Sequence, residues 1–217
     1  MANKTIENGL LITFEGPEGS GKTTQIKLLA EQLSSLEYEV VVTREPGGTP
    51  LCEKIRELLL RFDEEDICDE AELLLFGASR AQHVRRLILP CLKRGGIVLC
   101  DRFVDSTTAY QGYARKLNST FIQQLHDFSL GKRWPDLTFI LDIDVETSLQ
   151  RTKKRAEGKE HANDRIEAES RAFHTAVRNG FLDIAQNNPG RVKLIDASRP
   201  IEIIAADLWW EVYNAIV

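Results

Sequence analysis

Gly16-Pro17-Glu18-Gly19-Ser20-Gly21-Lys22-Thr23 matches G-x-x-x-x-G-K-[ST] at every fixed position, and no other stretch restricts the fold of this chain as sharply. The glycines let successive backbone N–H groups turn inward around an anion, Lys22 adds a point charge, and the Thr23 hydroxyl can reach a cation. Such a loop works between a strand and a helix. Leu10-Leu11-Ile12-Thr13-Phe14 reads as a buried strand before it, and 24–36 carries Ile26, Leu29, Leu33 and Leu36 at helical spacing after it. The loop therefore opens a helix N-terminus, whose dipole favours anions. A chance match among common residues would not also supply these flanks. Residues 16–24, ending in Thr24, are expected to cradle the phosphates of a nucleoside triphosphate.

The strand-then-helix order recurs along the chain. Val40-Val41-Val42 is a β-branched run, followed by Thr43-Arg44-Glu45-Pro46-Gly47-Gly48-Thr49-Pro50, where two prolines and two glycines predict a shaped loop. Residues 51–61 are expected to be helical, with an acidic turn at Asp63-Glu64-Glu65-Asp66. A long helical stretch over 69–93 should be bent or ended by Pro90. It is more apolar than one solvent-facing helix requires, so it is either buried in the core or meets another subunit. Ile97-Val98-Leu99-Cys100-Asp101, Leu137-Thr138-Phe139-Ile140-Leu141-Asp142 and Val192-Lys193-Leu194-Ile195-Asp196 are near-continuous apolar runs ending in a carboxylate, as suits parallel strands covered on both faces. The expected fold class is α/β, a five-stranded parallel sheet wrapped by helices in one domain over 1–217. Ligands gather beyond the carboxyl ends of such strands, which would bring 15–23, Arg44, Glu45, Asp101 and Arg102 into one crevice.

Composition excludes several function classes. A net charge of −5 over 217 residues argues against a broad nucleic-acid surface, which needs clustered Lys and Arg. No segment approaches the ~20 apolar residues of a membrane span, and the first eight residues carry no signal-like apolar run, so a cytoplasmic protein is expected. Cys52, Cys68, Cys91 and Cys100 form no C-x-x-C pair and read as buried reduced thiols.

Moving a phosphoryl group requires donor and acceptor held in line with their charge neutralised. Arg44, Arg102 and the basic segment from Arg151 to Arg165 offer cations beyond Lys22. Lys153 and Lys154 read as a solvated helix face, whereas Arg155 and Arg165 flank a segment without apolar runs. A short mobile flap over about 151–166 would suit that spacing. Asp101, at the tip of an apolar strand, is placed to hold Mg²⁺ with Thr23, directly or through water. A strand-end Asp capping the next turn is the alternative. His83, His126, His161 and His174 share no motif with a nucleophile and read as surface or helix residues.

The spaced motifs together resemble the thymidylate kinases among the P-loop nucleoside-monophosphate kinases. They are the cradle with Glu18 inside it, Thr43-Arg44-Glu45-Pro46-Gly47-Gly48-Thr49, Phe76-Gly77-Ala78-Ser79-Arg80, Asp101-Arg102-Phe103, Ser106-Thr107-Thr108-Ala109-Tyr110-Gln111-Gly112 and Asp164-Arg165-Ile166-Glu167. The resemblance implies a P-loop NTPase fold and Mg²⁺-dependent transfer of the ATP γ-phosphoryl to dTMP. It further implies that Phe76 stacks on the base, Arg80 donates to a base carbonyl, and Thr107 and Gln111 complete the base edge. Tyr110 would lie against the deoxyribose, and Arg44, Arg102 and Arg56 would grip the acceptor phosphate. Glu45, Ser79 and Ser106 belong to the same implied substrate site, and Glu18 would approach the acceptor 3′-hydroxyl or a metal-bound water. The cradle carries no arginine, so a catalytic arginine is implied in the flap, at Arg155 or Arg165. Phe103 stands where the family more commonly has Tyr or His, which removes a hydrogen bond. The resemblance also implies a homodimer and a cis Glu45–Pro46 bond. The alternative is a deoxynucleoside kinase, whose acceptor lacks the phosphate that Arg44 and Arg102 would hold. A GTP-dependent switch would need an N-K-x-D motif that this sequence lacks, and a non-catalytic module would be expected to have lost Lys22 or Asp101.

Overall fold

The computed structural model describes residues 3–61, 66–156 and 165–216, with 155 and 156 described by backbone only. Parallel strands β1 (Leu10–Glu15), β2 (Val40–Arg44), β3 (Ile97–Asp101), β4 (Leu137–Asp142) and β5 (Val192–Asp196) form one sheet in the order β2-β3-β1-β4-β5. The expected five-stranded parallel sheet is therefore present. Its interior strands β1, β3 and β4 are buried almost throughout, whereas the edge strands β2 and β5 are partly exposed. The edge strand β5 reads as a similar apolar run, so such a run marks a strand without telling an interior one from an edge one.

Alternation along β1 sorts the two faces. Leu10, Ile12 and Phe14 pack with Ile26, Leu29 and Leu33 of α1 (Lys22–Ser35) and with Ile204, Leu208 and Val212 of α9 (Ile201–Ile216). Leu11 faces the opposite layer, where the turn Val84–Ile88 that follows α3 (Asp69–His83), then α4 (Leu89–Lys93) and the end of α6 (Ser119–Leu130), lie over one half of the sheet. Helix α8 (Arg171–Asn187) covers the other half through Phe173, Val177 and Phe181. Cys52, Cys91 and Cys100 are buried, whereas Cys68 is exposed. The remaining helices are α2 (Pro50–Leu60), α5 (Val104–Thr107) and α7 (Val145–Ala156).

Several boundaries differ from the sequence expectation. Strand β2 continues through Thr43 and Arg44, so the shaped loop begins only at Glu45, and the Glu45–Pro46 peptide is cis. Helix α2 starts at Pro50, with Thr49 as its N-cap accepting from the Cys52 amide at 3.3 Å; proline suits the first turn because its missing donor is not needed there. The 69–93 stretch neither ends nor breaks at Pro90. It runs from α3 through a π-helical turn, Val84–Ile88, into α4, and this wider turn lies just ahead of the proline. Most of its apolar side chains enter the core, with Leu73, Val84, Ile88 and Leu92 buried and Leu74 exposed. The central residues of the predicted acidic turn and of the predicted flap lie outside the described residues.

The middle strand β1 sends the chain to β2 on one side, while its neighbour β4 sends it to β5 on the other. An open parallel sheet receives ligands beyond the strand ends at such a reversal. The register sets Phe14, Asp101 and Arg44 level with one another at that edge.

Candidate active site

The cradle begins where β1 ends. Gly16 has φ +122, and a Cβ there would lie 2.3 Å from the Leu141 carbonyl oxygen, so only glycine lets the chain turn so close to β4. Gly21, in the left-handed region, is the N-cap of α1, and no side chain caps that helix end. Its first-turn amides are thus left for an anion. Lys22 is buried, its Nζ donating to the carbonyls of Pro17 at 2.9 Å and Gly16 at 3.2 Å and reaching Ser20 Oγ at 3.5 Å. Burial, and then the nearby Arg102 charge, push its pKa below the usual lysine value. From α7, Ser148 donates to the Glu18 carbonyl at 2.7 Å and Arg151 to that of Gly19 at 3.1 Å, so the basic segment touches the cradle at its first residue.

The turn after β3 closes over the cradle. Asp101 Oδ2 accepts from the Thr23 hydroxyl at 3.1 Å. Arg102 has φ +66 and donates to the Gly16 carbonyl and Ser106 Oγ, both at 3.1 Å, and to Glu18 Oε1 at 2.5 Å, while lying 5.2 Å from the Tyr110 ring centroid. A non-glycine residue in the left-handed region is strained, and such strain persists where neighbours hold it. Glu15 is the holder. Its buried carboxylate accepts from the Phe103 amide at 2.8 Å, the Ser106 amide at 3.2 Å and the Ser106 hydroxyl at 2.5 Å. Burial, reinforced by the Asp105 charge, pushes the Glu15 carboxyl up to about 7. Sequence reasoning puts Glu15 in the crevice without giving it this task.

Behind the cradle, a second cavity is lined by Phe76 and Arg80 of α3 and by Phe103, Thr107, Tyr110 and Gln111 from the turn after β3. Glu18, Glu45, Arg56, Arg102 and Glu167 line both this cavity and the cleft over the cradle, so the two spaces meet end to end. Arg80 is almost fully buried; its Nε donates to Glu45 at 2.8 Å, and its Nη2 to the Phe103 carbonyl and Thr107 Oγ1 at 3.0 Å. Its Nη1 is buried with no partner. An unpaired donor on a cavity wall is a position for a ligand acceptor.

Most of the expected site residues come together. Thr24 and Arg44 line the cradle-side cleft, where Arg44 pairs with Glu53 at 2.8 Å, and Ser106 lines the inner cavity. Ser79 does not line it. It is buried one residue before Arg80 on α3, its hydroxyl has no hydrogen-bond partner among the described residues, and its carbonyl accepts from the Cys52 thiol of α2. Arg165 is bound away from the cradle, donating to the Leu59 carbonyl at 3.3 Å and pairing with Glu72. The Arg155 side chain lies outside the described residues.

Four buried or lining groups escape sequence reasoning. His83 is a helix residue of α3, as one of the two expected readings has it, and is buried: it donates from Nδ1 to Glu45 Oε1 at 3.0 Å, its Nε2 meets Thr43 Oγ1 at 2.8 Å, and it supports Glu45. His126 is also buried and lies 3.1 Å from Thr108 Oγ1, and burial with the Arg80 charge pushes its pKa down to about 3, so it stays neutral. His174 lines the inner cavity. Glu72, fully buried one turn before Phe76, receives Gln111 Nε2 at 2.7 Å. The available signal was a carboxylate at i−4 from the aromatic that lines the cavity.

The sequence model of the thymidylate kinase family matches residues 14–208. Thymidylate kinase from Syntrophotalea carbinolica is 47% identical over 206 residues, covering 94% of this chain and 95% of its own. That from Thermomicrobium roseum is 50% identical, covering 91% of each. Among solved structures, thymidylate kinase from Ehrlichia chaffeensis superposes with a TM-score of 0.75 at 40% identity, over 94% of this chain and 98% of its own.

Proposed function

The chain belongs to the thymidylate kinase family, and from that premise we propose that it transfers the γ-phosphoryl group of ATP to the 5′-phosphate of dTMP, yielding ADP and dTDP. The deoxynucleoside kinase alternative is not favoured by these relatives. The observation that carries the reading is the end-to-end meeting of a phosphate cradle and a base-sized cavity at Glu18, Arg56 and Arg102. That arrangement fits two phosphorylated ligands whose reacting ends share one set of charges.

In this reading the uncapped α1 N-terminus and Lys22 hold the donor phosphates. Arg102, clamped by Glu18 and Ser106, faces the junction and steadies the acceptor phosphate, with Arg44 and Arg56 beside it. In the inner cavity Phe76 stacks on the base, Arg80 offers its free Nη1 to a carbonyl, and Tyr110 packs against the sugar. The second flap arginine, Arg155, is the proposed cation over the transferring group, since Arg165 is committed to Glu72.

Mg²⁺ suits the Thr23–Asp101 pair, because a small hard cation takes one hydroxyl and one carboxylate with water and substrate phosphates supplying the rest. Among the described residues no group of three or more His, Cys, Asp or Glu offers an all-protein cage instead. When bound, the ion neutralises charge on the β- and γ-phosphates.

We also propose that the protein acts in the cytoplasm as a homodimer. Leu74 of α3 and Phe121 and Phe128 of α6, on two helices that pack together, are exposed, Phe128 by 80%. Among the described residues no helix is long and apolar enough to cross a membrane. The assay that tests the catalytic reading is ADP formation with dTMP, dGMP and thymidine as acceptors. Turnover of thymidine without turnover of dTMP would overturn it.

A further inference from the structure

Glu72 is fully buried, and it gathers Gln111 Nε2 at 2.7 Å, Arg115 at 3.3 Å and the Arg165 guanidinium. Burial alone would raise its pKa; donation from Gln111 and Arg165 outweighs that and holds the carboxyl below the usual range. An ionised carboxylate only accepts hydrogen bonds, whereas a glutamine amide has one donor end and one acceptor end. Glu72 takes the donor end of Gln111. The end left for the cavity, which Gln111 lines, is therefore the acceptor Oε1, and no donor among the described residues reaches it.

Arg80 lines the same cavity, and its buried Nη1 is a donor without a partner among the described residues. The cavity thus presents a donor from α3 and an acceptor from the π-helical segment Thr108–Ala114. A thymine or uracil edge supplies the complement, a carbonyl oxygen beside a ring N–H. Cytosine supplies the reverse, an amino donor beside an unprotonated ring nitrogen, and would leave buried groups unpaired.

We propose that Glu72 is a positioning residue for base selection, which fixes the polarity of the Gln111 amide and so sets the enzyme against cytosine. This rests on the reading of the inner cavity as the dTMP site. A wall whose glutamine could rotate freely would offer either end to the base, so the discrimination resides in the buried carboxylate behind it.

The test compares kcat/KM for dTMP and dCMP in the intact protein and in Glu72→Gln, whose amide can present either end to Gln111. The dTMP/dCMP ratio is expected to fall by about tenfold or more, the scale of one buried polar mismatch, chiefly through KM. Glu72→Asp, which keeps an acceptor-only group, should recover part of the ratio. Arg165→Met removes a partner of Glu72 but leaves the bond to Gln111, so its ratio should remain within about twofold of the parent. Gln111→Met tests the proposal even if Glu72→Gln fails to fold, and the double variant should lose no more selectivity than Gln111→Met alone. An unchanged ratio in Glu72→Gln or in Gln111→Met overturns the proposal, as does a double variant in which the two losses multiply. Failure of the parent to phosphorylate dTMP would instead overturn the reading beneath it.

Discussion

Arg102 donates to the Glu18 carboxylate at 2.5 Å, locking a cation from the turn after β3 to an anion inside the cradle after β1. The pair stands where the two cavities join, and Glu15 holds the strained turn that presents it. The two cavities therefore meet at the ends of adjacent strands.

Lys22→Ala should lower kcat by about 100- to 1,000-fold, the range for losing one preorganised charge partner. dTMP affinity, which depends on the inner cavity, should change little. Steady-state kinetics with dTMP calorimetry separates the two, and a kcat near that of the parent would contradict the role given to Lys22.

Arg80→Ala removes the unpartnered Nη1 donor and also takes from buried Glu45 its guanidinium partner, leaving it His83. Breaking one side of a buried ion pair costs about 3–5 kcal/mol, so chemical denaturation should show a clear loss of stability. Discrimination among dTMP, dUMP and dCMP should relax in the same variant. Preserved ratios would show that Arg80 serves only the fold.

Glu15→Gln should change how stability depends on pH. Burial pushes the folded carboxyl up to about 7, above its ordinary value of 4.5, so between those pH values the folded state binds more protons than the unfolded chain. The contribution of Glu15 is present in full below that window and is lost as pH rises through it. Urea titrations from pH 4.5 to 7 should give a flatter profile in the variant, and parallel profiles in the two proteins would rule the effect out.

Gly16→Ala forces a Cβ against the Leu141 carbonyl from a backbone conformation that alanine disfavours. Loss of nucleotide binding is expected along with at least about 1–3 kcal/mol of stability. A nucleotide titration followed by thermal unfolding checks both.

Phe128→Glu places a charge on the exposed α6 surface proposed to meet a second copy. Sedimentation velocity should move from dimer to monomer. A dimer that survives the substitution places the interface elsewhere.

The features legible before folding are those with a local physical cause. Apolar runs mark the strands of a parallel sheet, though not which of them lie at its edges, and the cradle is readable because its glycines, lysine and threonine act within eight consecutive residues. Glu72, His83 and Glu15 carry no such local mark. Each is a polar residue in or beside an apolar element, and its meaning lies in a partner far along the chain, 39 residues away for Gln111, 38 for Glu45 and 88 for the Phe103 amide. The present partners of Ser79 and Arg165 are unreadable for the same reason, since a motif names its residues but not the direction in which a helix or loop turns them.

Sequence alone thus determined the succession of strands and helices along the chain and the phosphate loop, because periodicity and short-range chemistry are written in consecutive residues, and its spaced motifs carried the resemblance to the family. Tertiary structure alone decided which buried charges meet, which amide end faces the cavity and which arginine is already engaged. Those are settled by desolvation: once packing removes water, each buried donor must find an acceptor in space, wherever that acceptor lies along the chain.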